Sequence, residues 1–155
     1  MLLREKIKKE LTGAIKNKEE LRSSVLRLLI AAVLNKEKEK RYKSGEEKDI
    51  LLTDEETTEV IVLEVKKRKE AVSEYQKGQR QDLADKEKKE AEILQEYLPE
   101  QLSEQELKEV VKEAIVETGA KESKDMGKVM SVLAPKIKGR ADGGLVSGMV
   151  KEALN

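Results

Sequence analysis

The chain is 155 residues long, enough for one domain or two small ones. Charged residues make up 41% of it and aromatic residues 2%, and 32 basic side chains balance 32 acidic ones, so no partner follows from overall charge. With no Cys and no His, the sequence excludes a disulfide framework, thiol chemistry, histidine-based zinc sites and Ser-His-Asp or Cys-His catalysis.

The apolar pattern is helical from the start. Leu3, Ile7, Leu11 and Ile15 repeat every four residues and predict a first helix ending near Asn17. Because Arg4, Glu5 and Lys6 interrupt the apolar residues at the amino end, no signal-peptide core is expected there, and the default compartment is the cytoplasm. Leu21, Val25, Leu28, Leu29, Ala32 and Val33 form the stripe of a second helix, which trails through a charged extension to about Ser44. The run 28–34 is the longest apolar one, well short of the roughly 18 residues that a membrane span requires, and no membrane partner is expected.

A loop from Ser44 to Leu52 leads into Thr53-Asp54-Glu55-Glu56, a capping box in which the Thr53 hydroxyl and the Glu56 carboxylate satisfy free backbone N–H groups. The third helix carries Val60, Ile61, Val65, Val72 and Tyr75 on its buried side and stops near Gly78. A fourth, from about Arg80 to Tyr97, places Leu83, Ala91, Leu94 and Leu98 on one face, and Pro99 ends it by forcing the preceding residue out of helical geometry. Ser103-Glu104-Gln105-Glu106 is a second capping box, framed by Leu102 and Leu107 as a hydrophobic staple, and Gly119 is the expected end of that fifth helix. Ser123 is expected to start a sixth helix, with Met126, Val129, Met130 and Leu133. Asp142 is expected to cap a seventh, with Leu145, Val146, Met149, Val150 and Leu154. No segment alternates with period two, so the predicted fold is all-α, a bundle of about four helices over 1–98 followed by a three-helix module over 99–155.

Charge is distributed unevenly along this framework. Residues 1–44 hold 13 basic and 6 acidic side chains, a net of +7; 45–101 hold 10 and 17, a net of −7; 102–155 hold 9 of each. Carboxylate pairs three or four apart abound, but among 32 acids such spacing arises by chance. There is neither a P-loop nor a GxGxxG turn, and no catalytic residue, cofactor, metal or small-molecule substrate is expected. Arg22, Arg27 and Arg68 lie in or beside apolar stripes and read either as RNA contacts or, preferably, as ion-paired side chains tying helices together. The most informative stretch is 124–140, where Lys124, Lys128, Lys136, Lys138 and Arg140 stand against Asp125 alone, a local +4. The connection Gly139–Gly144 precedes a helix amino terminus, a natural phosphate seat, although a capping Asp142 carboxylate fills such a seat itself.

Leu26-Arg27-Leu28-Leu29 with Ala31-Ala32 and Asn35, Lys66-Lys67-Arg68-Lys69-Glu70, and Gln79-Arg80-Gln81-Asp82-Leu83-Ala84 resemble segments of YqeY proteins. The same holds for 93–103, containing Tyr97-Leu98-Pro99-Glu100-Gln101-Leu102-Ser103, and for Met126-Gly127-Lys128-Val129-Met130 with Lys138-Gly139-Arg140-Ala141-Asp142-Gly143. YqeY proteins are stand-alone relatives of the tail domain of GatB, a component of the tRNA-dependent aspartyl/glutamyl amidotransferase. The resemblance spans about residues 2–154 and implies an RNA-facing module at 102–155, with Lys128, Lys138 and Arg140 as contacts inside the matching motifs. Lys124 and Lys136 are added on charge alone. Gly127 is expected to allow close helix approach, and Gly139 a tight turn. The expected activity is tRNA binding through phosphate contacts, without the relatives' glutamine-dependent carbon–nitrogen ligase chemistry. The alternative is a module that docks on the amidotransferase or another tRNA enzyme without touching RNA.

Overall fold

The computed structural model describes residues 1–155 and contains seven α-helices and no strands. They are α1 (Leu3–Lys16), α2 (Glu20–Ser44), α3 (Asp54–Lys77), α4 (Gln81–Gln95), α5 (Glu104–Thr118), α6 (Met126–Ile137) and α7 (Gly143–Leu154), with a single 3₁₀ turn, Ser123–Asp125, before α6. The chain divides into two compact units, Met1–Leu98 and Pro99–Asn155.

In the first unit α3 and α4 form a close hairpin, and α1 and α2 a second one. Both hairpins turn on a non-glycine residue in the left-handed region, Lys18 at φ 59° and Gln79 at φ 57°. The amino end of α3 carries both halves of the expected capping box: the Glu56 N–H donates to the Thr53 hydroxyl and the Thr53 N–H to the Glu56 carboxylate. Asp54 also accepts the Leu3 N–H at 2.8 Å, so a carboxylate from α3 satisfies one of the orphan donors at the start of α1. The core includes Ile7, Val25, Leu26, Leu29, Val33, Leu52, Ile61 and Leu94, closed at the carboxyl end of α4 by Tyr97.

Two apolar positions expected inside lie outside. Ile15 is 47% exposed, and Ala14 takes the core position. A repeat of four residues advances 400° around a helix of 3.6 residues per turn, so each step drifts by about 40° and the fourth member has left the buried face. Leu28 is 52% exposed for a related reason: the buried face of α2 runs through Val25, Leu26, Leu29 and Val33, and Leu28 sits at its margin.

Charged side chains also enter this unit. Arg68 is 8% exposed and lies between Glu64, at 2.9 Å, and Glu90 of α4, at 3.5 Å. Arg22 bonds Glu96 at 2.8 Å, Glu10 at 3.5 Å and the Tyr97 hydroxyl, which in turn donates to Glu10. Both arginines therefore tie helices together, while Arg27 is exposed. Burial pushes the Glu90 carboxyl above the usual range and Glu87 adds to this, against the opposing pull of Arg68 and Lys86. Burial also acts to raise Glu64, but hydrogen bonds from Arg68 and Lys67 outweigh it and hold that carboxyl low.

A raised folded-state pKa means that the native state binds the proton more tightly than the unfolded chain. Glu90 thus contributes stability when protonated and loses it as pH rises through its folded value. Glu64 works the other way, contributing above the unfolded value and losing stability as pH falls through its own depressed one. In urea unfolding, the stability of the native protein relative to Glu90→Gln is expected to improve as pH drops from neutral to about 5. A difference that is flat across that interval contradicts the assignment.

Candidate nucleic-acid interface

The second unit buries Leu107, Val111, Ala114, Val129, Leu133, Ile137, Val146, Val150 and Leu154 among α5, α6 and α7. Met126, Met130 and Met149 are half-buried and pack against this core. Leu145, expected among the apolar residues of α7, is 57% exposed, one position out of phase with Val146 and Val150. The expected capping box at Ser103 and Glu106 is complete, and Gly119 ends α5 at φ 67°. The Ser103 N–H, with some help from the Arg140 charge, holds the Glu106 carboxyl below its usual range.

Ser123 does not cap α6. Its hydroxyl pairs with Asn155 at 2.8 Å, and the turn is fixed instead by Asp125, whose carboxylate accepts the Lys121 and Glu122 N–H groups at 3.0 and 3.2 Å. Those two backbone donors, followed by the charges of Lys128 and Lys124, hold Asp125 below the usual carboxylate range. The Ser123–Asn155 contact also sets the last turn of α7, with Lys151, beside the turn that carries Lys121 and Lys124. Lys121, just outside the 124–140 stretch, and Lys151 are further exposed cations here, and Lys151 was missed by reading along the chain because only this tertiary contact brings α7 to the start of α6.

At the other end of α6 the chain turns through Gly139, which is buried at φ 72°, as expected of a tight turn. The two most specific sequence blocks meet here. The Leu102 N–H donates to the Arg140 carbonyl at 2.9 Å, and the Gln101 amide to the Gly139 carbonyl at 2.7 Å. The Arg140 guanidinium donates to the Glu100 carbonyl at 3.0 Å. Arg140 is half-buried and partly engaged in holding Pro99 to Leu102 against the elbow. Asp142 caps α7 by accepting the Gly144 N–H at 3.1 Å, so a carboxylate occupies the place expected for a phosphate.

The cations expected to act together are thus held in two groups. Lys124 and Lys128 stand at the amino end of α6, and Lys136, Lys138 and Arg140 at its carboxyl end; Lys128 and Lys136 are eight residues, about 12 Å, apart along the axis. Lys124 pairs with Glu122 at 3.0 Å and Lys136 with Glu117 at 3.3 Å, both exposed pairs that water and salt weaken. Lys128 and Lys138 are exposed. Gly127 does not mediate close helix approach, since a Cβ built there meets nothing within 4 Å; it lies on the open face of α6. All three tyrosines, Tyr42, Tyr75 and Tyr97, belong to the first unit, so the second has no aromatic ring on which a base could stack.

Comparison with known proteins bears on both units. A family model described as "Yqey-like protein" matches residues 4–154. A curated relative from Schizosaccharomyces pombe, the uncharacterized protein C22F3.15, is 29% identical over 93 residues, which is 60% of this chain and 69% of the yeast protein.

Proposed function

The chain belongs to the Yqey-like protein family, and on that premise we propose that it is a tRNA-binding accessory protein, with residues 99–155 as a module like the GatB tail of the amidotransferase. The observation that carries this reading is the match over 4–154, which takes in nearly all of both units, including the motifs with Lys128, Lys138 and Arg140. The chemistry available is cationic and non-aromatic, suited to phosphate and backbone shape rather than to base stacking. Two lysine groups at opposite ends of α6 form a distributed surface that suits a folded RNA better than a single phosphate seat. Met126, Met130 and Met149 pack on the core and do not form the exposed patch that docking on a protein through them needs. No helix is long and apolar enough to cross a membrane, and with tRNA as partner the expected compartment is the cytoplasm.

Filter binding with bulk tRNA at several salt concentrations tests the proposal. Log affinity is expected to fall linearly with log salt, by about 0.7–0.9 for each phosphate contact. The pairs Lys124→Ala with Lys128→Ala, and Lys138→Ala with Arg140→Ala, are each expected to reduce that slope by up to about 1.8. Circular dichroism checks that the second pair, which removes the bond to Glu100, leaves the helices intact. Unchanged affinity in both double variants rejects the assigned surface, and co-purification with an amidotransferase that survives nuclease treatment supports the docking alternative.

A further inference from the structure

Residues 3–18 hold six basic and two acidic side chains, a net of +4, equal to that of 124–140. Along the chain Glu5 and Glu10 interrupt these cations, but the tertiary structure takes Glu10 away from them. Its carboxylate accepts the Tyr97 hydroxyl and lies 3.5 Å from Arg22 of α2. Arg4 is paired in the same way, at 3.3 Å from the buried Glu37. Five exposed lysines remain, Lys6, Lys8, Lys9, Lys16 and Lys18, against Glu5 as the last acid of the stretch. The ammonium groups of Lys8, Lys9, Lys16 and Lys18 make no ion pair or hydrogen bond, and Lys6 stands 5.7 Å over the Tyr97 ring. In the second unit, by contrast, Lys124 and Lys136 are ion-paired and Arg140 is bonded to Glu100.

Helical spacing gathers three of the five on one side of α1. Lys9 lies three residues after Lys6, and Lys16 two turns further on, about 10 Å along the axis. Thr12 and Gly13 fill the interval, and a Cβ at Gly13 would meet nothing within 4 Å, so the surface between the two cations is open. A groove of about 560 Å³ runs past Lys6, Lys9 and Gly13 to Arg22, with Glu10 and Glu19 also in its lining. Leu3, Ile7 and Leu11 are packed into the core, so the helix has no apolar face left to enter a lipid surface. Protein–protein interfaces exclude lysine from their centres, whereas lysines spaced along a surface neutralise separate phosphates of a polyanion.

We propose that the outer face of α1, with Lys6, Lys9 and Lys16, is a second phosphate-contact surface for RNA. The inference rests on the tRNA-binding reading above and extends it from residues 99–155 to the first unit.

Filter binding of the full chain with bulk tRNA at several salt concentrations tests it. Lys9→Ala with Lys16→Ala is expected to lower the slope of log affinity against log salt by up to about 1.8. Combined with Lys124→Ala and Lys128→Ala, the two losses are expected to add, because the lysines meet different phosphates. Lys48→Ala with Lys77→Ala removes the same charge from the acidic part, 45–101, and is expected to leave the slope nearly unchanged. All the replaced lysines of the first unit are exposed, so the helices persist, as circular dichroism verifies. A slope that Lys9→Ala with Lys16→Ala does not lower, where Lys124→Ala with Lys128→Ala does, overturns this surface and leaves the tRNA-binding reading in place. A native chain that does not bind tRNA overturns both. An equal drop for Lys48→Ala with Lys77→Ala reduces the effect to net charge and overturns the surface. So does a pair of α1 substitutions that weakens binding to phosphatidylserine vesicles but not the tRNA slope, which assigns the lysines to a membrane.

Discussion

Replacing Arg68 by alanine is expected to lower stability by about 3–5 kcal/mol, because it removes the cation from between two acids that stay inside the fold. Arg68 is 8% exposed, and the side chains of Glu64 and Glu90 are 15% and 10% exposed. Truncation leaves both carboxylates with their desolvation cost and without the opposing charge. Glu90 already sits above the usual range through burial, and it is expected to rise further without Arg68. Urea unfolding followed by circular dichroism gives the loss directly. Arg68→Lys restores a charge but not the guanidinium that spans both acids, its Nη1 donating to the Glu64 carbonyl at 3.1 Å and carboxylate at 2.9 Å while its Nε faces Glu90 at 3.5 Å, and is expected to recover only part of the stability. A loss below about 1 kcal/mol for Arg68→Ala means that water reaches the acids and that the cluster behaves as a surface pair.

The second large effect is expected at Glu37→Ala, at about 3 kcal/mol or more. Glu37 is 7% exposed, bonds Arg4 of α1 at 3.3 Å and accepts the Leu52 N–H at 3.1 Å, joining the first helix, the second and the loop before α3. Its removal strands a guanidinium whose Nε already lacks a hydrogen-bond partner, and frees a buried N–H group next to a core leucine. Glu37→Gln keeps an acceptor for Leu52 while losing the charge, so its cost is expected to lie between that of the alanine variant and zero. Hydrogen exchange separates the two roles. The Leu52 amide is expected to lose protection in the alanine variant and to retain much of it in the glutamine variant. Equal exchange in both assigns the whole effect to Arg4.

Both clusters lie outside what one-dimensional reading could find. Thirty-two acids and thirty-two bases offer many i, i+4 pairs, and burial is decided by the neighbouring helix, not by the spacing. Arg68 was legible as a helix tie only because it stood beside an apolar stripe, and Glu37, inside a charged run, carried no such signal. The lysine surface was legible in part. Its members at 124–140 stood out by local charge, but their separation to the two ends of α6, the engagement of Arg140 with Glu100 and the placement of Lys151 beside them were not visible.

Residue order alone was enough to set the seven helices and most of their ends, the start of α6 excepted. Apolar periodicity, the capping boxes at Thr53 and Ser103, the Asp142 cap and the left-handed Gly119 and Gly139 act within a few residues of their own position, so their effects are readable from the chain without its fold. Packing settled which side of each helix met another. It turned Leu28 and Leu145 outward, drew Arg68 and Glu37 inward and joined the Pro99–Leu102 segment to the elbow at Gly139. Burial and ion pairing depend on groups far apart in the chain, and those groups meet only where one helix lies against the next.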